Sequence, residues 1–331
     1  MSTPIRLALD AMSGDFGPRI TIPAAQKFAQ IAPHVHLQVY GDPVAIRAAA
    51  DNALPANISI HTAHSVIPMG ADPRKTLRQG QDSSMWLSLQ ALADKQVQAC
   101  VSAGNSGALM LISRRVVGVI PGVEVPAFSK VMPAESGFTL MLDLGGNLHC
   151  SSEQLVQFAR MGQIQACAAG VQSPRVALLN IGAEAGKGTR TIRDAAAIME
   201  RAADINFLGY LEADAIFNGE VEVIVCDGFS GNVALKTSEG VARLLTRRIE
   251  KSFASGLGRL AGLLLWPILR RWRMEFNPDA YNGAVLAGLD GVVVKSHGGA
   301  GVDATVNALH LALEHAQTGV PEKIAKAVTS F

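Results

Sequence analysis

Val221–Thr237, VEVIVCDGFSGNVALKT, holds a strand, a glycine turn and a helix start within seventeen residues. The apolar run Val223, Ile224, Val225, Cys226 has the composition of a strand covered on both faces, as the strands of parallel sheets are. Asp227 to Asn232 then mixes glycine with short polar side chains, and Val233, Ala234 and Leu235 open a helical pattern that Lys236 and Thr237 continue. A helix starting there aims unpaired backbone N–H groups past the end of the strand, where an anion binds well. The stretch therefore reads as half of an anion site in an α/β fold.

The device recurs. Leu7–Asp10 runs into Met12-Ser13-Gly14-Asp15, and Ala99–Val101 runs into Ser102-Ala103-Gly104-Asn105-Ser106-Gly107. Leu140–Asp143 precedes Leu144-Gly145-Gly146-Asn147; Val176–Asn180 precedes a turn from Ile181 to Thr189; Val292–Lys295 precedes Ser296-His297-Gly298-Gly299. A parallel sheet sends such turns to its carboxyl edge, where ligands bind in open α/β sheets, so the expectation is one convergent site.

Hydrophobic residues make up 49% of the 331 and charged residues 17%, which implies a large core and excludes a disordered chain. A net charge of +1 excludes a general affinity for nucleic acid, so any basic patch is local. Cys100, Cys150, Cys167 and Cys226 show neither metal-ligand spacing nor a dense disulfide pattern, and Cys100 and Cys226 sit in strand-like apolar runs as small hydrophobes. A reducing cytoplasm fits. No signal peptide is expected, because the amino terminus enters a strand almost at once.

In chain order, Pro18–Ala32 is expected as a helix, Val35–Gly41 as a strand, Asp42–Asn52 as a helix and Ile58–Ala63 as a strand, the alternation of a wound sheet. Asp82 to Met85 caps an apolar helix through Leu92. Ser106–Ile120 is helical, and a loop to Pro133 leads into the Phe138–Asp143 strand. No linker or repeat divides the chain, so one domain is expected over 1–331, with an element projecting at about 240–280. Within that element, Leu260 to Leu269 is too short for a membrane span of about 20 residues and too apolar for a solvated loop. Arg259, Arg270, Arg271 and Arg273 flank it, Trp266 and Trp272 lie in or beside it, and Pro267 bends it into a hairpin. Such a tip suits an anionic membrane surface or a second subunit.

Other chemistry is weaker. Gly182 to Thr189 is no Walker motif, because three residues separate Gly182 from Gly186 and Gly188 follows Lys187 where Ser or Thr would bind magnesium. A lysine held between glycines still suits one phosphate. The GxGxxG and GxSxG spacings are missing, which speaks against a dinucleotide site or a hydrolase elbow. His61 and His64 have no companion ligands, so no metal is expected. Asp10, Asp143 and Asp227 end strands, where aspartates most often hold the backbone N–H groups of their own turns. Asn105, Asn147 and Asn232 offer neutral donors beside glycine for a phosphate or an oxyanion. His297 is the one histidine in these strand-end turns; it suits a proton exchange or a cap equally.

Taken together, LALDAMSGDFGP, VIPMGADP, QDSSMWLSL, ACVSAGNSGALM, MLDLGGN, LLNIGAEAGKGT, CDGFSGNVALKT and VVKSHGGAG resemble, in order and rough spacing, the bacterial phosphate acyltransferase family (PlsX). The resemblance spans nearly the whole chain. Departures are Ser13 and Gly146, each replacing a more usual residue, and Gln79 to Gln81 in place of a more basic run. The resemblance implies a three-layer α/β/α, Rossmann-like homodimer, similar to isocitrate and isopropylmalate dehydrogenases and phosphotransacetylase, with a projecting helical hairpin. It implies transfer of a long acyl chain from acyl carrier protein to inorganic phosphate with no cofactor, and a membrane glycerol-3-phosphate acyltransferase (PlsY) as consumer of the product. Lys187 and Asn232 match the family's catalytic lysine and asparagine. Gly14, Asn105, Ser106, Gly186, Gly188, Ser230, Gly231 and His297 become candidates for phosphate or substrate binding. Leu260, Leu263, Leu264, Leu265, Trp266 and Leu269 become candidates for peripheral membrane contact. Arg243, Arg247, Arg248 and Lys251, on one probable helix, suit the acidic carrier protein, a solvated charged face being the plain alternative. Two rivals stay open: a dehydrogenase of related fold, and a non-enzymatic membrane adaptor, which would leave Lys187 and Asn232 without a role.

Overall fold

A computed structural model of the chain describes residues 4–51, 53–184, 186–253, 265–266 and 278–328. Among these, eleven strands form one sheet: β1 (Arg6–Asp10), β2 (His36–Gly41), β3 (Ile58–Thr62), β4 (Ala99–Ser102), β5 (Ala127–Pro133), β6 (Phe138–Leu142), β7 (Val176–Leu179), β8 (Phe207–Leu211), β9 (Val223–Val225), β10 (Ala284–Ala287) and β11 (Val292–Lys295). Their order is β3-β2-β1-β4-β11-β10-β5-β6-β9-β7-β8. The helices are α1 (Pro18–Ile31), α2 (Pro43–Ala49), α3 (Pro73–Gln79), α4 (Ser84–Ala93), α5 (Ser106–Val116), α6 (Ser152–Ala168), α7 (Arg190–Met199), α8 (Gly228–Ser252), α9 (Val302–Thr318) and α10 (Val320–Val328).

The expected three layers are present. Cys100, Met141, Ile224 and Val293 on one face of the sheet pack with α4, α5 and Leu235 of α8. On the other face, Leu9, Val101 and Val294 pack with α1 and α9, while Leu142, Val176 and Val225 pack with α6, α7 and α10. Side-chain caps start the helices where the sequence offers them: Asp42, Ser83, Thr189 and a Ser151/Gln154 capping box.

Three expectations change. Residues Ala127–Pro133, read as loop, form a strand, and the helix from Ser106 stops at Val116 because Ile120 N donates to Gly288 O and Val119 bridges to Leu289. More important, the sheet is not parallel throughout. β10 is antiparallel to both β11 and β5, and β5 is antiparallel to β6, so the half containing β1, β4 and β11 runs opposite to the half containing β6, β9 and β7. The glycine turns accordingly leave the sheet in two directions.

They nevertheless start from one line. The paired residues Leu9, Val101, Val294, Val285, Ser129, Leu142, Val225 and Leu178 form a single row across the sheet. In β1, β4, β6, β7, β9 and β11 that row meets the last or next-to-last residue. The two halves are staggered, their carboxyl ends abut along this row, and α5 and α8 cross it on the same face. Met110 of α5 reaches the Gly146 turn, and α8 carries Glu239 back to Lys130 of β5.

Candidate active site

The Asp143 turn is built around its carboxylate. Oδ1 accepts from Phe128 N (2.9 Å) and Gly146 N (3.0 Å), and Oδ2 from Asn147 N (2.6 Å) and Asn147 Nδ2 (2.9 Å). Burial pushes this carboxyl up from its ordinary value, and the backbone donors pull it back. Asp227 caps α8 through Ser230 N (2.7 Å), so both aspartates hold backbone donors of their own turns, as expected of strand-end aspartates. Gly231 is required on steric grounds: a β-carbon there would collide with Asp143 O and Cys226 Sγ. That close packing seats the first turn of α8 on the Asp143 turn, and the Asn232 side chain lies beside Gly145.

The three turn asparagines differ in what their amides do. Asn147 Nδ2 also donates to Pro126 O (2.8 Å). Asn105 caps α5, its Oδ1 accepting from Ala108 N (2.9 Å) and its Nδ2 donating to Met69 O (2.6 Å), so its amide is engaged within the fold. Ser106, its neighbour, is exposed at the first position of α5. Among the described residues the Asn232 amide makes no hydrogen bond, and it is exposed.

The turn after β7 lies beside the turn after β9. Asn180 Nδ2 donates to Gly182 O (3.1 Å) and Lys187 O (3.3 Å), and Gly188 takes a positive φ of 89° against Asn180. The Lys187 stem lies over Gly182, and its Nζ pairs with Glu184 Oε2 at 2.8 Å, half exposed. Its pKa is raised by that Glu184 contact, so Lys187 stays a cation. Gly186 is open to solvent.

The turns of the other half join one another. Ser102 Oγ donates to Asp10 Oδ2 (2.7 Å), Ala103 N to Ser13 Oγ (2.9 Å) and Asp15 N to Gly298 O (2.8 Å). Gly14, at φ 87°, lets Gly298 approach. His297 Nδ1 accepts from Gly299 N (3.1 Å), which leaves Nε2 to carry the proton of the neutral ring, and its pKa is lowered by burial first and by Lys236 second.

Between the halves lies a group that the sequence reading did not single out. Glu239 of α8, with 9% of its side chain exposed, receives Lys130 Nζ at 3.4 Å, Lys236 Nζ at 3.0 Å and Arg243 at 3.8 Å. Lys295 Nζ donates to Ala103 O (3.3 Å) and to Ser296 O. Burial, then the Lys236 charge, pushes Lys295 down to about 8. The signal was present: Asn232, Lys236, Glu239 and Arg243 follow i, i+4, i+7, i+11 and share one face of α8, and Lys130 and Lys295 each interrupt an apolar strand.

Arg247, Arg248 and Lys251 are exposed along the outer half of α8, as is Arg243, but Val241, Leu244, Leu245 and Ile249 are exposed among them, so this is not a purely charged face. Of the hairpin candidates, Leu265 and Trp266 are exposed, at 41% and 57%, while Leu260, Leu263, Leu264 and Leu269 lie outside the described residues. Among the described residues no helix is long and apolar enough to cross a membrane, and no cluster of three His, Cys, Asp or Glu could hold a metal ion. A cavity of ≈ 260 Å³ is lined by Ser129, Val131, Gln165 and Leu311 among others; none of the residues singled out from the sequence lines it.

A family model described as fatty acid synthesis protein matches residues 5–323. A phosphate acyltransferase from Cellvibrio japonicus (strain Ueda107) is 45% identical over 332 residues, covering 99% of each chain. Among solved structures, a phosphotransacetylase from Streptococcus pyogenes superposes with a TM-score of 0.63 at 14% identity, covering 96% of this chain and 95% of that one. A 4-hydroxythreonine-4-phosphate dehydrogenase from Klebsiella pneumoniae does so at 0.56 and 14%, covering 95% and 100%. The fold is thus shared by acyl-transferring and dehydrogenating proteins, and the distinction between them rests on the family match.

Proposed function

The chain belongs to the phosphate acyltransferases of the fatty acid synthesis protein family, and from that premise we propose that it moves a long-chain acyl group from acyl carrier protein to inorganic phosphate. A phosphate oxygen attacks the thioester carbon, the C–O bond forms, and the carbonyl electrons move to oxygen. Collapse of that tetrahedral oxyanion breaks the C–S bond. The leaving thiolate, with an ordinary thiol pKa near 8.5, needs little help from an acid and takes its proton from solvent. Phosphate is itself the nucleophile, so the protein acts by positioning and charge, without a cofactor. The product is an acyl phosphate, which a membrane glycerol-3-phosphate acyltransferase consumes in making phosphatidic acid and phospholipid.

The unbonded Asn232 amide carries this assignment: it stands one turn into α8, beside the Gly145 turn, as a side-chain donor that suits an oxyanion. Lys187, on the adjacent loop, supplies a permanent cation near the reacting groups, and the N–H groups around Gly186 and Gly188 flank it, while Ser230 N and Gly231 N donate to Asp227 and shape the turn. The acyl carrier protein, which is acidic, meets Arg243, Arg247, Arg248 and Lys251, and exposed Leu244 and Leu245 adjoin that surface or a second subunit of a homodimer. The chain acts as one unit over 1–331. The apolar stretch Leu260 to Leu269, of which only Leu265 and Trp266 lie among the described residues, holds the enzyme peripherally on the inner face of the cell membrane.

The deciding assay follows thiol release from palmitoyl-acyl carrier protein with and without inorganic phosphate, trapping acyl phosphate with hydroxylamine. Phosphate-dependent release with hydroxamate is expected; release without phosphate would make the protein a thioesterase, and reduction of a nicotinamide cofactor without release would make it a dehydrogenase. Leu264→Glu combined with Trp266→Glu is expected to abolish cosedimentation with anionic vesicles, since two charges are forced into the apolar interface. Unchanged cosedimentation would assign the hairpin to a protein partner.

A further inference from the structure

Resting on the acyl-to-phosphate assignment above, we propose that Lys236 and Lys295, backed by Lys130, form the pocket that holds inorganic phosphate while it attacks. Lys236 lies one helical turn beyond Asn232, a spacing of about 5–6 Å between β-carbons on one helix face. An anion held there is within reach of the same oxyanion donor that Asn232 provides. Lys187, by contrast, is on a different loop and already pairs with Glu184 at 2.8 Å.

Charge balance supports the same position. Lys130, Lys236 and Arg243 share one carboxylate, Glu239, which is almost fully buried. Among the described residues no carboxylate lies within ion-pair distance of Lys295; two carbonyl oxygens take two of its three N–H donors. Asp15, Asp10 and Asp279 act on Lys295 or Lys130 only as smaller influences than burial. A half-buried ammonium without a counter-ion is costly unless an anion completes it. A compact dianion suits point charges of this kind, and Lys is a phosphate binder of that type. His297, whose Nδ1 accepts from Gly299 N and so leaves the neutral ring's proton on Nε2, adds a donor beside the Lys236 charge.

The test uses the full-length protein. Binding of inorganic phosphate alone is measured by calorimetry, and KM values for phosphate and for the acyl donor are measured separately, in Lys236→Met, Lys295→Met and Lys187→Ala. Each methionine variant is expected to weaken phosphate binding by about 10–100-fold, the size of one lost charge-assisted hydrogen bond. KM for phosphate rises in step while KM for the acyl donor stays within about twofold, and Lys187→Ala retains phosphate binding while losing turnover. Lys236 is exposed on a helix surface, so its variant folds even if Lys295→Met does not. Unchanged phosphate affinity in folded Lys236→Met overturns the pocket. So does loss of phosphate binding in Lys187→Ala alone, and so does a rise confined to the KM of the acyl donor, which would give the cations to the phosphodiester of the carrier's prosthetic arm. A wild-type protein that binds phosphate through these lysines yet shows no phosphate-dependent acyl release would instead sink the reaction and leave the pocket standing.

Discussion

Asn232→Ala lowers kcat by about 10²–10³-fold, the usual loss when one oxyanion donor is removed, and leaves the melting temperature within about 2 °C of the parent. The second half of that expectation follows from the geometry: the amide is exposed and makes no hydrogen bond among the described residues, so its removal leaves no buried partner unsatisfied. The KM for phosphate changes little, because the amide acts on the acyl oxygen and not on the incoming ion. Asn232→Asp is no rescue, since it sets a negative charge against the developing oxyanion. A folded Asn232→Ala enzyme with parental kcat would remove the amide from the mechanism.

Asp143→Ala destabilises the protein by about 3–5 kcal/mol, the largest stability effect expected of any single site in these turns. Its carboxylate satisfies Phe128 N, Gly146 N and Asn147 N together, each near the row where the two halves of the sheet abut. Removing it leaves those donors buried without partners and loosens the seat of α8, because Gly231 packs directly on Asp143 O. Urea unfolding followed by far-ultraviolet circular dichroism measures the loss, and activity falls with it through the displaced first turn of α8. A loss under about 1 kcal/mol would mean that water replaces the carboxylate and that the turn is not the hinge of the two halves.

Much of this was legible beforehand. The strands β1, β4, β6, β7, β9 and β11 follow apolar runs ended by glycine turns, β2 and β3 alternate with helices, and a buried strand ended by flexible residues has few other ways to fold. Asp143 and Asp227 could be read as holders of their own turns from their place at strand ends. β5, β8 and β10 were harder. Ala127–Pro133 carries Lys130 and ends in proline, so it has the composition of an edge strand or loop although it lies near the middle of the sheet. Missing β5 and β10 meant missing the reversal of direction they introduce, and with it the fact that the glycine turns leave the central row on two sides.

The sequence by itself determined the α/β class, the family, and the residue types available to bind an anion, because periodicity, glycine turns and long motifs are properties of adjacent residues. Only the tertiary structure decided which of those residues meet. It engaged Asn105 and Asn147 in the fold, left the Asn232 amide unbonded, and brought Lys130 of a central strand and Lys236 of a helix together on Glu239, with the Lys236 charge acting on Lys295 at a strand end. The physical reason is that the pairings which join β10 to β5 and β11 to β4 link segments more than a hundred residues apart, and nothing local in the chain records which way a partner strand runs.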